Sequence, residues 1–223
     1  MRRIGVVVLA VVGMSGAAWA SGVGKMDGGS SPSMSSQRSP HEMAVMAFND
    51  GIGSRDRAAK LEKEVEGTTD AKKQASLKSK IEKAYSTAVR QQSDAVRLDP
   101  NLYQAYTELG YAYRKLGKYT ESLAAYESAL AKQPNYAEAI EYRAEAYLGL
   151  NRVGEAKDSY LRLFEGGDPK GAAQLAAAMK KWVNARRTDS GGVAQGDIDT
   201  FAKWLESRKE IAAQNGATSA GSW

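Results

Sequence analysis

The 223-residue chain contains no cysteine and a single histidine, His41. Without cysteine it can form no disulfide, thiolate zinc site, cysteine nucleophile or lipoprotein anchor. One histidine excludes a multi-histidine metal site and any serine–histidine triad built elsewhere in the chain. His41 itself stands in the first turn of an expected helix and reads as an exposed polar residue. No phosphate loop is present, because Gly51-Ile52-Gly53 lacks the preceding strand, the third glycine and the lysine. A divalent-cation loop of alternating acids is also missing. Acidic pairs such as Glu62 and Glu66 suit a solvated helix. No catalytic residue, metal or cofactor is therefore expected.

A large net charge is missing too. Lysine and arginine number 31 against 26 acids, a net +5. Arg2 and Arg3 lie in an opening segment without acids; removing residues 1–20 leaves 29 against 26, or +3. That is too mild for nucleic acid or an anionic membrane to be the expected partner. The apolar fraction, 43%, is enough for most of the chain to bury a core.

Met1-Arg2-Arg3 is a short basic start, and Ile4 to Ala20 carry no charge. The strongly apolar part, Ile4 to Val12, is shorter than the roughly 20 residues a bilayer span needs. Ala18-Trp19-Ala20 supplies small residues at a cleavage site. This is the layout of a secretory signal peptide cut after Ala20. The expected destination is a bacterial periplasm, with no stable membrane anchor after the cut. Residues 21–39 are Gly/Ser-rich and read as a disordered linker.

What fills the rest is a repeat of 34 residues. Under that shift Pro100 falls on Pro134, Ala95 on Ala129, Ala105 on Ala139, Ala112 on Ala146, Tyr113 on Tyr147, Leu116 on Leu150 and Tyr126 on Tyr160. All 11 tyrosines lie between Tyr85 and Tyr160. Their coincidence with the repeats points to packing rather than chemistry.

Residues 103–136 resemble a tetratricopeptide repeat. The match is carried by Tyr106, Leu109-Gly110, Tyr113, the turn Gly117-Lys118-Tyr119, Ser122, Tyr126, Ala129 and Pro134. A second unit, 137–170, has Ile140, Ala144, Tyr147, Asn151, Ala156 and Tyr160, with Pro169 one residue late. The resemblance implies an all-α solenoid of about three helix pairs with capping helices at its C-terminal end. Gly110 and Ala144 then allow close approach to a neighbouring backbone. Gly117 and Asn151 are the left-handed residues that end a helix.

Around these units, 40–102 reads as a degenerate first repeat with a long charged hairpin. Its helices are expected at about 40–66 and 70–98, the first with an apolar stripe of Met43, Ala47, Phe48, Gly51 and Ile52. The charged hairpin is a solvated face or a docking arm. Residues 171–213 form capping helices: one opened by Asp168-Pro169, a loop over Arg186 to Gln195, and a last helix from Asp197. Residues 214–223 read as a disordered tail.

By the resemblance, the first helices of the units line a groove that faces a protein or peptide partner. The candidates are Gln104, Thr107, Tyr111 and Arg114, then Glu138, Glu141 and Glu145. The three acids share one helical face at i, i+3 and i+7. They form either a solvated stripe or a reader of a basic or N-terminal segment. Some members of the family clamp a chaperone's terminal carboxylate with Lys, Asn and Arg. The corresponding positions here are Thr107, Tyr111 and Tyr142, so that activity is not carried over. The expected function is an exported scaffold or adaptor, with self-association or an accessory role in an enzyme complex as alternatives.

Overall fold

The computed structural model describes residues 38–220, with side chains through Arg208. The segment expected to be a signal peptide and most of the expected linker fall outside the described residues, as do residues 221–223. From Pro40 on, the chain is α1 (Pro40–Glu66), α2 (Ala71–Leu98), α3 (Tyr103–Lys115), α4 (Tyr119–Lys132), α5 (Ala137–Gly149), α6 (Val153–Glu165), α7 (Pro169–Thr188) and α8 (Gln195–Ala220). Each odd-numbered helix packs on the even one that follows, and each pair packs on the next.

Local chemistry sets the boundaries. Asp70 caps α2, its Oδ1 accepting from the amides of Lys72 (2.9 Å) and Lys73 (3.1 Å). Asp168 caps α7 by accepting from the Gly171 amide at 2.9 Å, and Pro169 occupies the first turn. Three turns share one design. After α3, α5 and α6 a single residue has positive φ: Gly117 (74°), Asn151 (59°) and Gly167 (78°). The next amide reaches back five residues, from Lys118 to Tyr113, Arg152 to Tyr147 and Asp168 to Leu163, each at 2.8–2.9 Å. A side chain at Gly117 meets no neighbour, so the backbone alone resists it. Gly117→Ala should therefore cost about 1–2 kcal/mol, read as a lower urea midpoint at constant slope.

The structure moves several expected features. The buried face of α1 is Ala44, Phe48, Gly51, Ser54 and Ala58, whereas Met43 is exposed. The expected stripe is rotated, because α1 turns toward α2, where buried Gln92 donates to the Phe48 carbonyl at 3.1 Å. Helix α7 continues through Arg186 to Thr188, and α8 starts at Gln195. The loop is shorter than expected because Arg186 is held by its Nε donating to Asn151 Oδ1 at 3.0 Å. Helix α8 also runs on to Ala220, where the sequence suggests a tail without structure. Its last turns are rich in alanine and contain no proline, so nothing forbids continuation.

The largest core cluster runs from α4 to α8 and closes on aromatics. Phe201 lies 5.6 Å from Trp182 and 5.9 Å from Trp204, centroid to centroid. The Trp182 indole donates to the Leu148 carbonyl at 2.7 Å, which ties the last helix pair to α5. Two smaller clusters lie under α1 and α2.

Candidate protein-interaction face

The odd-numbered helices touch one another in sequence, α1 to α3, α3 to α5 and α5 to α7, whereas α2, α4 and α6 are not packed together in this way. A row of helices in contact on one side and splayed on the other is curved, with the contacting row inside. The inner wall is thus α1, α3, α5 and α7.

A chain of rings runs across it. Tyr111 on α3 lies 6.3 Å from Tyr85 and 5.2 Å from Tyr142 on α5, and Tyr142 lies 6.5 Å from buried Tyr126. Arg114 sits over Tyr111 (5.1 Å) and Tyr142 (5.7 Å) and forms an ion pair with Glu145 at 2.5 Å. Burial works against the Arg114 charge, but Glu145 together with Tyr126 and Tyr111 outweighs it and the guanidinium stays firmly protonated. Burial, with neighbouring carboxylates, pushes the Tyr142 phenol up.

The expected partner-facing residues divide. Tyr111 and Gln104 are half-buried on the wall. Thr107 is buried and its hydroxyl donates to the Tyr103 carbonyl at 3.1 Å, so it presents nothing outward. Glu138 accepts from the Tyr136 hydroxyl, Glu141 is only 6% exposed, and Glu145 is held by Arg114. The acidic row is therefore neither a solvated stripe nor three equivalent carboxylates. Among the packing residues, Leu109, Gly110, Tyr126, Ala129, Ala144, Tyr147, Ala156 and Tyr160 are buried, Tyr106 and Tyr113 are half-buried, and Pro134 is exposed. The space beside Gly110 is taken by the ring of Tyr126 rather than by a neighbouring backbone; the Ser122 hydroxyl donates to the Gly110 carbonyl at 2.8 Å.

Sequence reading missed Arg55 and Glu108. Arg55 Nη1 donates to Glu108 Oε1 at 2.7 Å and Nη2 to Asp56 at 2.8 Å, joining α1 to α3. Glu108 lies four residues after Gln104 and three before Tyr111, so its place on the inner face was readable from spacing. Burial pushes its carboxyl up to about 7, although Arg55 pulls it down. Farther off, Lys115 pairs with Glu62 at 2.7 Å, and Tyr85 donates to the same carboxylate at 3.1 Å. His41 is exposed, yet its Nδ1 lies 2.6 Å from Asp99. Among the described residues no group of three or more His, Asp or Glu side chains is placed to hold a metal ion.

Residues 103–136 match the family model of the tetratricopeptide repeat. With the paired helices stacked as described, the described residues form an all-α solenoid in which 103–136 is the unit that matches the tetratricopeptide repeat. Among solved structures it is similar to the first tetratricopeptide domain of human RPAP3, at 20% identity and TM-score 0.46, covering 67% of this chain and 98% of that one. It is also similar to the first such repeat domain of Spaghetti (RPAP3) bound to the HSP90 peptide SRMEEVD, at 18% identity and TM-score 0.41, covering 60% and 94%. The second domain of human RPAP3, in complex with the HSP70 peptide SGPTIEEVD, follows at 21% identity and TM-score 0.42, covering 62% and 97%. No curated protein sequence matches the chain.

Proposed function

We propose that this chain is a non-catalytic protein-interaction scaffold, exported to the bacterial periplasm, that holds a peptide or helix of a partner protein against its inner wall. The observation that carries the reading is Tyr111, a half-exposed ring on the inner wall braced by Tyr85, Tyr142 and Arg114. Aromatic anchors held rigid by their neighbours give contact area at small entropic cost. The repeat match over 103–136 supports an interaction role, and the layout of residues 1–20 supports export.

Cross-linking in intact cells tests the role. The tagged full chain should capture a partner, and Tyr111→Ala should reduce that capture about tenfold, a loss of roughly 1.4 kcal/mol. Equal capture by both chains would remove the inner wall from the mechanism. Export is tested by fractionation and N-terminal sequencing, with Ser21 expected as the first residue of the mature form.

A further inference from the structure

Charge is out of balance where α1, α3 and α5 meet. Around Tyr111 and Tyr142 the wall gathers Asp56, Glu62, Glu108, Glu138, Glu141 and Glu145 against Arg55, Arg114 and Lys115. The chain as a whole is +5, so this is a local reversal of sign. Within it Glu108 is 5% exposed, and its Oε2 receives no hydrogen bond from the described residues. A buried carboxylate oxygen without a donor is costly, and is retained where a donor arrives from outside or the strain has another use. Arg55 cannot serve Glu108 alone, because it is shared with Asp56.

We infer that this corner is a docking point for a lysine or arginine side chain of the partner protein, its head settling beside Glu108, Glu138 and Asp56 and its stem lying on Tyr111 and Tyr142. The inference rests on reading the inner wall as the binding surface. The cation supplies the charge that Arg55 divides between two acids, and the tyrosine faces attract it further. Asp56 holds Arg55 from the exposed side, so Arg55 keeps a partner when a second cation approaches Glu108. An acidic segment would meet like charges here and be rejected.

The docking carries a proton signature. The groups that face Glu108 are Arg55 and Asp56 from α1 and Tyr136, Glu138 and Tyr142 from α5. Burial, with Glu138 and Asp56 adding to it, leaves the Glu108 carboxyl partly protonated near neutrality. An arriving cation favours the carboxylate and expels that proton. Affinity for a cationic segment should then rise about tenfold between pH 6 and pH 8.

The test uses the full chain and two fluorescein-labelled heptapeptides: an alanine-based one bearing two arginines and a lysine, and the acidic SRMEEVD. Anisotropy titrations should show binding of the cationic peptide only, tighter at pH 8 than at pH 6. Glu108→Gln should abolish the pH dependence. Glu138→Gln, at a half-buried position that puts the fold at less risk, should weaken binding about fivefold, and calorimetry in buffers of different ionisation enthalpy should report proton release near pH 7. Cationic binding that both variants leave unchanged overturns the inference, as does no binding at all. If SRMEEVD binds instead and Tyr111→Ala abolishes it, the inner wall remains the binding surface and the cation inference alone falls.

Discussion

Tyr126→Ala should lower the stability of the fold by about 3–5 kcal/mol, a large share of the 5–15 kcal/mol that holds a typical domain together. The ring is fully buried and fills the space above Gly110, where a Cβ would lie 2.6–2.9 Å from three of its atoms. Truncation removes those contacts and leaves a void between α3 and α4, walled by helices too rigid to collapse into it. Half-buried Tyr113, truncated in the same way, should cost about 1 kcal/mol. A sharper result comes from the pair. Gly110→Ala alone forces the ring to move and should cost about 1–3 kcal/mol despite the better helix former. In the Tyr126→Ala background the same change meets empty space and should stabilise, by up to about 1 kcal/mol. Urea unfolding of the four chains at constant slope measures the cycle; additive effects would show that Tyr126 does not occupy the Gly110 site.

The second large effect is electrostatic. Folding raises the Glu108 carboxyl from its ordinary 4.5 to about 7, because burial outweighs the attraction of Arg55. Between those values the folded chain holds a proton that the unfolded chain has released. The contribution of this group is therefore greatest below pH 4.5, declines as pH rises, and levels off above 7, a total fall of about 3 kcal/mol. Asp99 is shifted the other way by its bond from His41, and Glu155 by its own backbone amide and Arg152, so the whole protein's profile mixes signs. The difference between wild type and Glu108→Gln isolates the one carboxyl. That difference should swing toward the variant as pH rises from 4.5 to 7.5. A flat difference would mean that Glu108 is no more buried in solution than an ordinary surface acid.

Much of the fold was legible because its signals are local. The turn residues Gly117 and Asn151 act within one helix pair, and the alanines at 105, 112, 139 and 146 show in the 34-residue period even though Ala105 and Ala112 pack on α1 and α2. The stripe on α1 was misread because a long helix with glycines at 51 and 53 and scattered charges has weak apolar periodicity. Its buried face was selected by Gln92, 44 residues away. Spacing put Glu138, Glu141 and Glu145 on one face but said nothing of what each would meet. Arg114, Tyr136 and the α3–α5 contact gave the three acids different fates.

Sequence by itself determined the helices, their pairing and the places where the chain reverses, since hydrogen bonds four residues apart and single left-handed residues need no distant partner. Only the tertiary structure decided the character of the inner wall. Glu108 became a buried acid near neutrality because folding takes it out of water and Glu138 of α5 adds to that rise, against the pull of Arg55, 53 residues distant in the chain. A carboxylate's charge depends on the solvent it loses and the cations it gains, and folding sets both.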